Sequence, residues 1–226
     1  MNPSPTDRDP VLQSFLTLSV PNVADALDHL DIQAAPAGIG PLWPDAGKVV
    51  GRAATVRLVP ADEAEMSPVR GTLEAIREAA QGSVLVIDHG GSTTVNSFGG
   101  VAAFTAARAG LAGCVIDGVT RDVDEMRAIH FPVYGRGVIQ LSVRGRCACA
   151  ELGTPVQLAG VVCRPGDVVF GDENGIVVVP ESRAGEVLEL AHAFLAAENR
   201  IKDAIAGGMD PIVAHDQYGY DRLPQG

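Results

Sequence analysis

Two continuous apolar runs constrain the fold of this chain more than any other feature: SVLVID at residues 83–88 and GCVIDG at residues 113–118. Short runs of this kind, rich in valine and isoleucine and close to glycines, are typical of strands covered on both faces. The segment VAAFTAARAG at residues 101–110 lies between them and predicts a helix, because it is rich in alanine. Strand, helix and strand at this spacing predict a parallel βαβ unit, and FPVYGRG at residues 131–137 predicts a third strand.

The segment before this unit carries signals for helices, a loop and a strand. Apolar residues recur at helical spacing over residues 11–30, with Asn22 as the expected N-cap of ADALDHL. Prolines and glycines mark residues 34–47 as a loop, whereas valines predict a strand in KVVGRAATVRLVP at residues 48–60. GTLEAIREAA at residues 71–80 predicts a short amphipathic helix.

The C-terminal part changes character. Residues 155–180 alternate short apolar runs with turn sequences such as Pro-Gly-Asp and Glu-Asn-Gly, which predicts short strands joined by tight turns. A long helix is then expected from Arg183 to about Ile205, because apolar residues form one stripe up to the Gly207-Gly208 pair.

These patterns predict an α/β fold in which a mixed parallel and antiparallel sheet packs with helices. We expect one domain over residues 15–207. Residues 1–14 are expected to form a disordered lead and residues 208–226 a polar C-terminal tail, since both are polar and contain proline.

Composition excludes several classes of partner. The formal net charge is −11, which disfavours nucleic acid and anionic membrane surfaces because both need a basic face. No apolar run approaches the ~20 residues that span a bilayer, and the N-terminus lacks a secretory pattern, so a cytoplasmic location is expected. Cys147-Ala-Cys149 can be a redox or metal pair, but plain reduced thiols are expected for all four cysteines.

The glycine-rich segment HGGSTTVNSFGG, residues 89–100, follows a predicted strand and precedes a predicted helix. Ligands of parallel α/β sheets bind at the carboxyl ends of the strands, and a helix N-terminus favours an anion. The segment is neither a dinucleotide fingerprint nor a Walker loop. Two interpretations stay open: a cradle for a carboxylate or phosphate, or a flexible connection.

Arg121-Asp122 follows the strand CVID, which is expected to end at Asp117. An arginine presents a planar fork that matches a carboxylate, and an aspartate can ligate a hard cation such as Mg²⁺. The alternative is an arginine packing its stem and an aspartate capping the following helix.

The chain resembles a known family at these residues. Gly100, twenty further residues, Arg121-Asp122 and then Glu125 are similar to the G-x20-R-D-x2-E pattern of RraA-like proteins and class II 4-hydroxy-4-methyl-2-oxoglutarate aldolases. The resemblance continues through about residues 15–207 in the same order. Its further segments are VADALDHL, VVGRAATV, VLVIDHGG, GCVIDGVTRD, FPVYGRG and PVQLAGVVCRPGDVVFGDENGIVVVP.

The resemblance implies a layered sandwich related to swivelling phosphohistidine domains, assembled as a homotrimer or hexamer with the site between subunits. It also implies that Arg121 grips the carboxylate of a 2-keto acid and that Asp122 holds Mg²⁺ or Mn²⁺. Backbone N–H groups of the glycine turn are then expected to complete the substrate pocket: those of Gly99, Gly100, Val101 and Ala102.

The implied function is a divalent-metal-dependent lyase. It would cleave a C–C bond of a 2-keto acid through a pyruvate enolate, by retro-aldol cleavage, oxaloacetate decarboxylation or both. The alternative within the family is a non-catalytic protein-binding regulator of the ribonuclease E inhibitor type.

The glycine turn departs from the aldolase pattern. Aldolase members carry an acidic residue beside the motif glycine, whereas this chain has no carboxylate between Asp88 and Asp117. Asp88, Glu125 and, from a neighbouring subunit, Glu198 are the candidates to replace it.

Four other residues have weaker claims. His89 beside the glycine-rich segment can be a base or an ordinary loop histidine. Arg144 and Arg146 can bind a second carboxylate or remain solvated charges. Trp43 is interpreted as a packing anchor.

Overall fold

The computed structural model describes residues 9–219, so the outermost parts of the predicted lead and tail lie outside the described residues. The α-helices are α1 (Pro10–Leu16), α2 (Val20–His29), α3 (Pro68–Glu78), α4 (Gly100–Ala109), α5 (Val123–Ala128), α6 (Ala184–Ala206) and α7 (Pro211–Tyr218). The strands are β1 (Gly40–Pro41), β2 (Val49–Pro60), β3 (Val84–Asn96), β4 (Gly113–Thr120), β5 (Val133–Gly135), β6 (Gly137–Val138), β7 (Cys147–Leu152), β8 (Val156–Leu158), β9 (Val161–Cys163), β10 (Val168–Asp172) and β11 (Gly175–Val179).

One large mixed sheet organises these elements. Its order is β1-β5-β4-β3-β2-β10-β11, with β6 beside β4 and β7 beside β2. Strands β2, β3, β4 and β5 pair in parallel, whereas β1, β7, β10 and β11 join antiparallel. The predicted parallel βαβ unit and the mixed α/β fold are therefore confirmed, and β8 and β9 form a separate hairpin.

The centre of the sheet is covered on both faces, which explains the continuous apolar runs. Alternate residues of a strand point to opposite faces. Leu85 and Ile116 pack towards α3, α4 and α5, whereas Val86 and Val115 pack towards the β8–β9 hairpin. Every residue of β4 is buried.

A second core lies between α1, α2 and α6 and the β10–β11 side of the sheet, around Phe15 and Phe170. Ser19, and not Asn22, is the N-cap of α2. Asn22 occupies the third helical position, and its side chain accepts from the backbone N–H of Ser19 to complete a capping box. The prediction therefore placed the N-cap three residues too late. Helix α1 also occupies residues that were expected to be disordered, because Asp9 caps it and Leu12 and Phe15 are buried.

Two predicted boundaries near the glycine-rich segment were wrong. Strand β3 continues through most of that segment to Asn96, with its register to β4 shifting at two points. Gly90 and Gly91 have left-handed φ values of +59° and +71°, which lets the strand bulge without ending. Strand β4 likewise runs to Thr120 rather than ending at Asp117.

The C-terminal helix was predicted correctly, and α7 was missed. Helix α6 spans Ala184–Ala206 and is followed by Gly207, as the apolar stripe indicated. Helix α7 begins at Pro211, where Asp210 accepts hydrogen bonds from two backbone N–H groups. Of the helices between residues 9 and 219, none combines the length and hydropathy needed to cross a bilayer.

Candidate active site

The carbonyl oxygen of Phe98 joins the ends of β3 and β4. It accepts hydrogen bonds from Thr120 Oγ1 at 2.6 Å, Asn96 Nδ2 at 3.2 Å and the backbone N–H of Arg121 at 3.3 Å. Asn96, Phe98 and Thr120 are buried, so these bonds fix the backbone that leads into α4. The glycine turn and Arg121 are thereby held side by side.

Asp122 links the start of α5 to the start of α4. Its backbone is left-handed, with φ +59°, which is uncommon for a residue other than glycine. Its side chain makes no capping hydrogen bond to α5. Instead, Oδ2 accepts a hydrogen bond from the backbone N–H of Gly100 at 3.0 Å. Asp122 is therefore the N-cap residue of α5 by position, while its carboxylate caps the start of α4.

Two glycines make this close approach feasible. A Cβ on Gly99 would lie 2.9 Å from Asp122 Oδ2, and a Cβ on Gly100 would lie 2.0 Å from Glu125 Oε2. Contacts that short are not found in proteins without displacement of one partner. The spacing between the glycine, the Arg-Asp pair and Glu125 thus reflects direct contact across the turn.

Arg121 carries a donor without an acceptor. Its Nε lies 3.4 Å from Asp122 Oδ2, within ion-pair distance, yet Nε is buried and forms no hydrogen bond within residues 9–219. Burying a donor without a partner costs about 1–3 kcal/mol. A carboxylate entering the site would supply that partner.

Arg121 and Asp122 face a cleft of about 80 Å³. It is lined by Val69, Thr72, Asn96, Ser97, Phe98, Gly99, Gly100, Val101, Ala102, Arg121, Asp122, Ser142, Val143 and Arg144. All six residues expected to bind substrate or metal therefore line one cleft. Sequence reasoning missed Asn96 and the segment 141–143, because only the fold brings them to Arg121.

The three candidates for a supporting carboxylate lie in different places. Glu125 is beside Gly100, which lines the cleft. Asp88 is buried elsewhere, accepting hydrogen bonds from the N–H groups of Gly90 and Gln157. Glu198 lies on α6, within reach of Asn22 and Lys202 and away from the cleft of its own chain.

The other titratable candidates, Arg144, Arg146 and His89, lie in two different cavities. Arg144 lines the cleft, whereas Arg146 lines a different cavity together with His89 and Cys147. His89 Nε2 lies 3.3 Å from Cys147 Sγ. Burial lowers the pKa of His89 and raises that of Cys147, which favours the neutral form of both.

The four cysteines and Trp43 are buried and pack in the interior of the protein. All four cysteines are buried free thiols, and burial raises the pKa of Cys163 to about 12. Trp43 is buried in the core beneath α3–α5, with the Arg127 guanidinium 5.9 Å from the ring centroid, so it packs as expected.

The donors at the cleft limit which metal ion the chain can hold. Within residues 9–219 no three His, Cys, Asp or Glu side chains come together as a metal site. Asp122 offers one carboxylate oxygen, Oδ1, that accepts no hydrogen bond there. Mg²⁺ commonly binds through one or two carboxylates, waters and substrate oxygens. This donor set therefore fits Mg²⁺ or Mn²⁺ and does not fit a closed zinc site.

The fold and the cleft together define an α/β protein with a cleft at the carboxyl ends of parallel strands, where Arg121, Asp122 and the start of α4 meet. More specifically, the chain belongs to the RraA-like family: the family model described as Aldolase/RraA matches residues 20–178. This agrees with the resemblance noted from the G-x20-R-D-x2-E spacing.

Two relatives align with at least nine tenths of the chain. A Halalkalibacterium halodurans protein named "Putative 4-hydroxy-4-methyl-2-oxoglutarate aldolase" is 31% identical over 204 residues, covering 90% of this chain and 92% of the relative. Protein DlpA of Legionella pneumophila is 32% identical over 212 residues, which is 94% of this chain but only 34% of DlpA. The chain thus spans about a third of that relative.

A solved structure supports the fold. Streptomyces coelicolor RraAS2, described as an unusual member of the RNase ES inhibitor RraA protein family, aligns with a TM-score of 0.73 and 27% identity. The alignment covers 84% of this chain and 93% of RraAS2. The chain therefore shares its fold with a protein whose family name refers to regulation rather than catalysis.

Proposed function

We propose that this protein is a metal-dependent lyase that cleaves a C–C bond of a 2-keto acid and releases pyruvate. One observation carries the proposal: the buried, unpartnered Nε of Arg121 beside a cleft that also presents Asp122 and helix-terminal N–H groups. Named aldolase relatives support the same class.

Arg121 and the start of α4 bind the carboxylate of the substrate in this mechanism. The guanidinium supplies charged donors in a planar fork. The N–H of Gly100, which was also expected to bind substrate, is instead taken by Asp122. The N–H groups of Val101 and Ala102 in the same first turn lack acceptors within the helix, and its dipole favours an anion. Binding there orients the C2 carbonyl so that negative charge can develop on its oxygen as the C–C bond breaks.

Asp122 is the residue that would hold the metal, Mg²⁺ or Mn²⁺. When bound, such an ion acts as a Lewis acid towards the 2-keto acid oxygens. The hydrogen bond from Gly100 to Asp122 Oδ2 fixes this carboxylate and leaves Oδ1 available. Retro-aldol cleavage and oxaloacetate decarboxylation share the enolate of pyruvate, so one site serves both.

A second copy of the chain is proposed to complete the cleft, in a homotrimer or hexamer. Ligand pockets usually measure roughly 300–1,000 Å³, whereas this cleft measures about 80 Å³. Val101 and Phe104 on α4, next to the cleft, are 72% and 58% exposed. Apolar side chains exposed beside an incomplete pocket support burial against another subunit.

Pyruvate release tests the proposal. Purified protein with Mg²⁺ or Mn²⁺ and a panel of 2-keto acids, oxaloacetate included, is expected to release pyruvate faster than the metal alone. Arg121→Ala should lower kcat/KM by about 10²-fold or more, because it removes the guanidinium that binds the substrate carboxylate.

Arg144→Gln should raise KM for dicarboxylates only, and Arg108→Gln at the far end of α4 is the matched control. No turnover above the metal blank would contradict the proposal.

A protein-binding regulator is the second candidate, and the description of RraAS2 favours it. Such a protein would act through its surface and not through Arg121. Capture of a ribonuclease by the wild-type chain, with equal capture by Arg121→Ala and no pyruvate release by either, would support regulation over catalysis.

A further inference from the structure

The Glu125 carboxylate lies against Gly100, the first residue of α4. Its Oε2 is 2.0 Å, and its Cδ 2.7 Å, from the point where Gly100 would carry a Cβ. Gly100 itself lines the cleft. Glu125 therefore fills the volume that a side chain at position 100 would occupy, and it reaches that volume from α5.

Nothing in the described part of the chain uses this carboxylate. The Glu125 carboxylate forms no hydrogen bond or ion pair with any of residues 9–219, and the residue is exposed; its backbone carbonyl accepts a hydrogen bond from the N–H of Ile129. An exposed carboxylate can exchange protons with solvent between turnovers. Asp124, its neighbour on α5, is exposed as well, and neither carboxylate is among the residues that line the cleft. Glu125 differs from Asp124 because its carboxylate approaches Gly100, which does line the cleft.

The proposed reaction needs a group that moves a proton at C3 of pyruvate. Arginine cannot serve, since its guanidinium keeps its proton in proteins. Asp122 Oδ2 is engaged by Gly100, and Oδ1 is assigned to the metal. The hydroxyls of Ser97 and Thr72 donate to backbone carbonyls. Of this chain's own carboxylates between residues 9 and 219, Glu125 is the one that remains in contact with a residue lining the cleft, Gly100.

We infer that Glu125 is the proton-transfer residue of the cleft. The inference rests on the proposed function. Breaking the C3–C4 bond releases CO₂ in decarboxylation, or a carbonyl product and the C4 hydroxyl proton, which passes to solvent, in retro-aldol cleavage. The enolate carbon then takes the proton from the carboxylic acid of Glu125, giving the methyl group of pyruvate and a carboxylate. Solvent then returns a proton to Glu125. In the reverse direction the carboxylate removes a methyl proton of bound pyruvate, which needs no cleavable substrate.

Exchange of pyruvate methyl protons in D₂O isolates this step. The wild-type protein with Mg²⁺ is expected to catalyse the exchange, followed by ¹H NMR. Glu125→Gln should slow it by about 10²–10⁴-fold, the usual contribution of a general acid–base group, with pyruvate binding changed less than twofold. Asp124→Asn removes the same charge one residue away and should leave both quantities unchanged.

A swap of positions separates catalysis from structural support. Glu125→Ala should lose exchange, and Gly100→Asp together with Glu125→Ala should regain part of it, because the new carboxylate enters the vacated volume. A merely structural role predicts no such rescue. If Glu125→Gln exchanges the methyl protons at the wild-type rate, the inference about Glu125 is overturned while the proposed function stands. A wild-type protein that neither binds pyruvate nor exchanges its protons overturns the proposed function as well.

Discussion

His89 is a buried imidazole that the proposed chemistry leaves unused. It is 7% exposed, its Nε2 faces Cys147 Sγ, and its Nδ1 has no partner among residues 9–219. Desolvation lowers its pKa from the ordinary value of 6.5, and the nearby carboxylates of Asp88 and Asp117 offset only part of that effect. The folded protein thus resists protonation of this ring.

This resistance links His89 to stability at acidic pH. Above pH 6.5 the ring is neutral in both the folded and the unfolded chain, so the full stability is present. As the pH falls below 6.5, His89 becomes protonated in the unfolded chain but stays neutral in the folded chain. The free energy of unfolding therefore declines until the pH passes below the lowered pKa of His89 in the folded chain. The slope contributed by one group is at most about 1.4 kcal/mol per pH unit.

Urea unfolding between pH 7.5 and 5.5, at fixed protein concentration, measures this slope. His89→Gln is expected to unfold more easily at pH 7.5 and to show a smaller loss at pH 5.5 than the wild type. His192→Gln, an exposed histidine on α6, should behave as the wild type. Parallel pH curves for all three proteins would contradict the link.

At the scale of elements, Asn96 joins β3 to the segment that carries Arg144. The N–H of Val143 donates to Asn96 Oδ1 at 2.7 Å, and the N–H of Asn96 donates to the carbonyl of Leu141 at 3.0 Å. The Asn96 side-chain amide also donates to Phe98. One buried amide therefore fixes both the glycine turn and the opposite wall of the cleft.

Asn96→Leu should destabilise this wall. It leaves the N–H of Val143 without an acceptor, at a cost of about 1–3 kcal/mol. We expect faster amide hydrogen exchange over residues 141–144 and a lower urea midpoint. Asn174→Ala in the exposed β10–β11 turn should leave residues 141–144 unchanged. Equal exchange in Asn96→Leu and wild type would exclude the joining role.

The same elements show where local sequence was sufficient. Apolar runs and alanine content predicted β3, α4 and β4, because their patterns depend on burial of the elements themselves. The polar residues Ser92, Thr93 and Thr94 were interpreted as loop, yet they continue a bulged strand. Partner strands set that outcome, and local propensity does not contain it. Helix α7 was missed because its apolar pattern is weak and only its cap marks it.

Some residues of the candidate site were also predictable from the sequence, whereas their contacts were not. Gly100, Arg121 and Asp122 were predicted to share one site, and the fold brings the three together, while an anion and a metal ion at these residues stay predictions. The bond from Gly100 to Asp122, the left-handed backbone of Asp122 and the placement of Asn96 all depend on contacts between distant elements. A linear sequence does not specify such contacts without the fold.

At the scale of the whole molecule, different elements cover the two faces of the central sheet. The hairpin β8–β9 closes one face, and α3–α5 close the other. Val101 and Phe104 lie three residues apart on α4 and share a face that no described element covers. The proposed second subunit would bury this face and enlarge the cleft at the same contact.

Phe104→Glu tests whether assembly and the site depend on each other. Burying a phenylalanine contributes about 1.5–3 kcal/mol, and a charge in its place opposes association further. Light scattering should therefore shift from a multiple of the 23.4 kDa chain towards the single chain, with slower pyruvate methyl exchange. Val162→Glu, on the β8–β9 hairpin of the opposite face, should change neither quantity. A wild-type mass of one chain, or an unchanged assembly in Phe104→Glu, would mean that the exposed face of α4 does not complete the site.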